Sequence, residues 1–120
     1  MSMFHVNVVA IGVHAPELCT PSIQVMVDTG SELSWLPSDL LSSAGIAPLR
    51  KRTFATAPGQ HVERDIGYAI LRVDRFETVD EVVFAQPGDM HLLGVRTLEG
   101  FGVMVDNIGH RLVATTTLVV

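Results

Sequence analysis

Branched and aromatic residues recur along this chain in short runs, each broken by Gly, Pro, Asp or Asn. That punctuation constrains the fold more than any other feature, because runs of this length and composition make strands and leave no room for long helices. In the first run, Phe4 to Val13, Phe4, Val6, Val8 and Ala10 alternate with His5 and Asn7 before the pattern turns fully apolar. A loop with Pro16 and Pro21 follows, and then a short apolar strand, Ile23 to Val27. Leu33 to Leu36 resumes as a strand, and Pro37-Ser38-Asp39 opens a short helix through Ala44, with Gly45 placed to stop it.

The second half continues in the same manner. Thr53 to Ala57 and His61 to Val73 flank Pro58-Gly59-Gln60 as a long hairpin, and Glu77 to Ala85 is a further strand closed by Gln86-Pro87-Gly88-Asp89. Arg96 to Gly100 is briefly helical. Val103 to Asp106 and Arg111 to Thr116 bracket Asn107-Ile108-Gly109 as a last hairpin. No strand–helix–strand alternation calls for a parallel sheet.

With 120 residues the chain is expected to be one domain, 1–120, since domains run to roughly 100–200 residues. Hydrophobic residues at 48% supply a core, while charged residues at 18% are sparse enough to leave apolar surface for a partner. Thirteen acidic against eight basic residues give −5, and the one basic run is Arg50-Lys51-Arg52, read as a solvated strand start. Nucleic acid is therefore not an expected partner, since phosphates need a basic face. The N-terminus lacks the basic and apolar regions of a signal peptide, no run suits a membrane helix, and Cys19 is the lone cysteine. The expectation is a cytoplasmic protein, away from membranes, in a reducing compartment.

The chemistry concentrates at Val25-Met26-Val27-Asp28-Thr29-Gly30-Ser31. A carboxylate at the end of an apolar strand is costly to bury unless it is paired or used. Gly30 lets the backbone turn sharply, while Thr29 and Ser31 add hydroxyls to a local network. A plain polar turn uses the same residue types. Elsewhere, the five histidines show no short metal-site spacing, and neither a Gly-x-Ser-x-Gly elbow nor a phosphate-binding glycine loop occurs. No metal or cofactor is expected.

Asp28-Thr29-Gly30-Ser31 is followed by Trp35-Leu36-Pro37 and, further along, by Leu92-Leu93-Gly94. In order and spacing this resembles the retropepsin-like aspartic peptidases, from Ile23 through Val103-Met104-Val105-Asp106. The resemblance implies an all-β fold, a small closed or partly closed β-barrel of the acid-protease type with one or two short helices. It implies an aspartic-type endopeptidase assembled as a homodimer, each chain supplying half of the site, with a peptide or protein as substrate. Asp28 would be the catalytic carboxylate facing its copy. Thr29 would hold the two loops together, Gly30 would shape the loop, and Leu92, Leu93 and Gly94 would brace it. Ala57, Pro58, Gly59 and Gln60 would form the flap over a bound peptide. The terminal strands, Met3 to Val8 and Thr115 to Val120, would build the subunit sheet.

Two close carboxylates cannot both ionise cheaply, so one keeps a proton while the other activates water; aspartic peptidases are themselves the standing example of this pairing. Ser31 would hydrogen-bond the outer oxygen of Asp28. Asp106-Asn107-Ile108-Gly109, the nearest second candidate, reads as a hairpin turn. Two other readings stand beside the peptidase: a catalytically silent peptide-binding or dimerisation module of the same fold, and a small β-barrel in which Asp28 merely caps a turn.

Overall fold

In the computed structural model, which describes residues 4–116 and 119, nine strands and two short helices are arranged as a mixed α/β domain. Seven strands form one sheet: β1 (His5–Gly12), β2 (Ile23–Val27), β3 (Ser34–Pro37), β4 (Arg50–Ala57), β5 (Gln60–Val73), β6 (Phe76–Ala85) and β7 (Leu92–Leu93). β8 (Val103–Asp106) and β9 (Arg111–Ala114) make a separate hairpin. Helix α1 (Ser38–Ser43) follows β3, and α2 (Val95–Phe101) follows β7. Among the described residues, no helix is long and apolar enough to cross a membrane.

The strand order is β1-β2-β7-β3-β6-β5-β4. β1 divides its pairing: His5 to Val8 lie against β2, and Val9 to Gly12 against β5, both antiparallel. β2 pairs with β7 in parallel, as β3 does with β6. The expected all-β acid-protease barrel, closed or partly closed, is therefore corrected to a mixed, non-barrel sheet carrying two helices. The expected absence of parallel pairing falls with it. A parallel pair needs a crossover, and a helix is the usual one. Here the connection from β3 to β6 contains α1 and then the β4–β5 hairpin, so the strand that follows the helix in sequence, β4, is not the parallel partner.

Both faces of β6 are covered near its C-terminal end, where Val82, Val83, Phe84 and Ala85 are all buried. That continuous apolar run is what a strand with a parallel neighbour and two covered faces requires. Val82 and Phe84 join the main core with Val8, Val25, Leu36, Leu71 and Leu93, to which α1 adds Leu41 and α2 adds Leu98. Val83, one step out of phase, joins Leu33 and Ile66 in a smaller core roofed by Trp35 and Phe54. Gly45, in the left-handed region at φ 74°, ends the turn after α1 and donates its N–H to the carbonyl of Ser42.

Candidate functional site

The Asp28–Glu32 turn links β2 to β3 and is held by its own residues and by two elements beneath it. Within the turn, the Gly30 N–H donates to Asp28 Oδ1 at 2.9 Å, and the Ser31 N–H to the Asp28 carbonyl at 3.2 Å. An Asp that accepts from the backbone two residues on is a common way to stabilise a tight turn. Ser31 Oγ donates to the Leu33 carbonyl at 2.8 Å, so the expected hydrogen bond from Ser31 to the outer oxygen of Asp28 is corrected.

Beneath the turn, the N–H groups of Met26 and Asp28 donate to the carbonyls of His91 and Leu93, each at 3.0 Å. On the other side, the first N–H groups of α2 find their acceptors in the turn itself. Val95 donates to Ser31 at 2.7 Å and Arg96 to Glu32 at 3.2 Å. Helix N-termini leave such donors unsatisfied, and no side chain caps this one, so the turn serves as the cap. Gly94 makes the approach possible: a Cβ there would lie 2.5 Å from the Leu33 carbonyl oxygen. Leu92, Leu93 and Gly94 thus sit directly under Asp28 to Leu33.

A buried chain of polar groups supports the same corner. Gly94 N–H donates to Ser34 Oγ at 2.9 Å, Ser34 Oγ meets Thr97 Oγ1 at 2.6 Å, and Thr97 Oγ1 donates to Asp80 Oδ2 at 3.0 Å. Asp80 is 8% exposed, and its Oδ1 accepts the Glu81 N–H at 2.8 Å. Arg96 lies 3.6 Å from Asp80 and 3.4 Å from Glu81, which also pairs with Arg50. None of Ser34, Thr97 and Asp80 was singled out from the sequence. A signal for Asp80 existed: it shares its β6 phase with Val82 and Phe84, so strand periodicity turns it inward while Val79 faces solvent.

The β4–β5 arm adjoins the turn. Arg52 on β4 pairs with Glu32 at 2.9 Å and lies over Phe54, whose ring meets Trp35 edge-on at 4.9 Å. The residues expected to form a flap lie at the end of this arm: Pro58, Gly59 and Gln60 are exposed, and Ala57 closes β4. A concavity of about 480 Å³ lies elsewhere, lined by Pro37, Ser38, Asp39, Ala85, Gln86, Pro87 and His91, and includes none of the expected site residues.

Two further carboxylates are set by their neighbours. Asp89 takes a two-pronged hydrogen bond from Arg64, at 2.7 and 2.9 Å, and the Gln86 N–H at 2.8 Å. The Arg64 hydrogen bonds foremost hold the Asp89 carboxyl below the usual carboxylate range. Asp106 forms the β8–β9 turn, accepting from Gly109 and Ile108, and the Gly109 N–H foremost lowers its carboxyl likewise.

The expected aspartic peptidase requires two carboxylates sharing one site. Among the described residues, the Asp28 carboxylate takes its hydrogen bond from the Gly30 N–H and no second carboxylate is paired with it, and no three His, Cys, Asp or Glu side chains gather as a metal site would. The second Asp28 was to come from a copy paired as acid-protease subunits pair, and the mixed sheet is not that fold. The assignment as an aspartic-type endopeptidase, and the retropepsin likeness behind it, are corrected accordingly. The catalytically silent module loses its acid-protease fold for the same reason. Of the terminal strands expected to build the subunit sheet, residues 3, 117, 118 and 120 lie outside the described residues. No protein-family model matches the sequence, and no curated protein matches it either.

Proposed function

We propose that this chain is a non-hydrolytic binding module, working as a homodimer, that holds an extended segment of a peptide or protein beside the Asp28–Gly30 turn. The observation that carries this reading is the bracing of an exposed turn. Thr29 and Gly30 face solvent and Asp28 is half-buried, yet β7 and α2 hold the backbone on either side. A rigidly supported polar loop suits recognition better than a simple connection does. Asp28 Oδ1 is occupied by Gly30, which leaves Oδ2 to accept an N–H from a ligand backbone.

The neighbouring arm supports an extended ligand. β4 is the last strand of its sheet and pairs with β5 alone, so its outer edge retains backbone donors and acceptors for an added strand. The Arg52–Glu32 pair keeps that edge next to the turn. A symmetric pair of chains, each a single domain, would present two such surfaces. Met104, 58% exposed, and Ile108, 97% exposed, on the β8–β9 hairpin offer apolar surface for self-association. An exposed lone thiol, Cys19, suits the cytoplasm.

Trp35 is the only tryptophan and sits between turn and arm, so its emission reports on this surface. Short unstructured peptides titrated into the protein should give saturable changes in that emission and be recovered uncut. Asp28→Ala should weaken binding about tenfold, the equivalent of one hydrogen bond to a charged group. Light scattering should give twice the chain mass, falling to one for Ile108→Lys. Absence of saturable binding across a diverse peptide library at roughly millimolar concentration would overturn the binding reading, and a strictly monomeric mass would overturn the dimer.

A further inference from the structure

The structure assigns Asp80 as the positioning residue of the Asp28 turn, acting through the hydroxyls of Thr97 and Ser34 on the backbone N–H of Gly94. A carboxylate offers only acceptors, so the single Thr97 hydroxyl proton is spent on Asp80 Oδ2, 3.0 Å away. Thr97 Oγ1 must then accept in its 2.6 Å contact with Ser34, and Ser34 becomes the donor. The Ser34 oxygen is left with lone pairs only, and one of them receives the Gly94 N–H at 2.9 Å. The direction of the whole chain is fixed at its buried, charged end.

What the chain holds is the residue that leaves no slack beneath the turn. Gly94 packs against Glu32 and Leu33 so closely that an added Cβ would meet three backbone atoms within 2.9 Å. Its neighbours Leu93 and Val95 make the backbone hydrogen bonds to Asp28 and Ser31. Fixing the Gly94 peptide therefore fixes both clamps on the turn. A carboxylate is needed at position 80, and not an amide, because both oxygens accept: Oδ1 from the Glu81 N–H and Oδ2 from Thr97. An asparagine has one acceptor and would set its NH2 group against one of these donors. Arg96, 3.6 Å from Asp80, supplies the cation that a carboxylate this buried requires.

This role bears on the proposed binding surface, but it is tested on the turn itself, with no ligand present. In Asp80→Asn, amide hydrogen exchange at Asp28, Gly94 and Val95 should accelerate about tenfold more than exchange in the β1–β2 ladder at Val6 and Val25. Thr97→Val, which keeps shape and charge but removes the hydroxyl, should reproduce that pattern, and Thr97→Ser should restore it. Combining Asp80→Asn with Thr97→Val should add little to either change, since both cut one chain. Equal acceleration at turn and ladder amides would make Asp80 merely structural and overturn the assignment. So would unchanged turn amides, or strictly additive effects in the double variant. If Asp80→Asn does not fold, Thr97→Val and Thr97→Ser decide the question alone. Turn exchange that accelerates as expected while peptide binding is fully retained would count against the binding surface as drawn and leave the assignment of Asp80 standing.

Discussion

Replacing Gly94 by alanine tests how tightly α2 and the Asp28 turn are joined. The new Cβ would lie 2.5 Å from the Leu33 oxygen, 2.6 Å from its carbonyl carbon and 2.9 Å from the Glu32 oxygen. All three are backbone atoms, so no side chain can swing aside. Gly94 has φ −90° and ψ 172°, which alanine adopts without strain, so the whole cost is steric. Overpacking a closed site costs about 1–3 kcal/mol, occasionally more, and backbone contacts on this scale place the cost near about 3 kcal/mol. Loss of unfolded-state freedom returns about 0.4–1 kcal/mol, leaving a net destabilisation of about 2–2.5 kcal/mol. Gly59→Ala is the control. Gly59 has φ 76° with open space around it, so only the left-handed backbone is penalised, by about 1–2 kcal/mol before the same return. In urea unfolding followed by Trp35 emission, with a slope of about 1.5 kcal/mol/M, Gly94→Ala should lower the midpoint by about 1.5 M. Gly59→Ala should lower it by about 0.5 M. A Gly94→Ala midpoint no lower than that of Gly59→Ala would refute the claim that helix and turn meet backbone to backbone.

Three further outcomes follow from single contacts. Arg64→Ala should cost about 1.5–3 kcal/mol at neutral pH by removing the two-pronged hydrogen bond to a partly buried Asp89. Because Asp89 titrates lower folded than unfolded, that contribution is full above the ordinary carboxylate pKa of about 4 and is lost as pH falls through the lower folded value. Urea midpoints of the two proteins should therefore converge in acid, and a constant gap across pH would contradict this. Thr20→Val should cost about 1–3 kcal/mol in thermal unfolding, since it strips the buried Ala10 N–H of the Oγ1 acceptor 3.0 Å away. Lys51→Ala should leave the urea midpoint unchanged, because the Lys51–Asp65 pair lies in solvent and its attraction is screened. A clear loss of stability would show that the pair does more than the geometry indicates.

The resemblance that misled and the site that remains come from the same residues. Asp28-Thr29-Gly30-Ser31 is what a tight polar turn after an apolar strand requires, with Asp28 capping Gly30. The capped turn, raised from the sequence as the plainest use of Asp28, is what the hydrogen bond describes. Local chemistry explains the motif without a second carboxylate, so the motif could not certify a catalytic pair.

Strand positions were legible because side-chain period and turn residues act within a few positions. Ile23–Val27 was placed residue for residue, the Asp106 turn as a hairpin, and the helix after Pro37 to within a residue or so at its ends. Partners were not legible, because strand pairing depends on contacts distant in sequence. Ser34 pairs in register with Val82, and Val27 with Leu93, and nothing near either residue states it. The Ser34–Thr97–Asp80 chain has the same origin: three ordinary polar residues become one network only where β3, β6 and α2 converge. The sequence by itself determined most of the strands and turns, since steric preference and side-chain alternation are local, but not β7, whose two residues are too short for alternation to mark. Only the tertiary structure decided which strands run parallel and which buried groups share protons, because burial and pairing belong to the packed assembly.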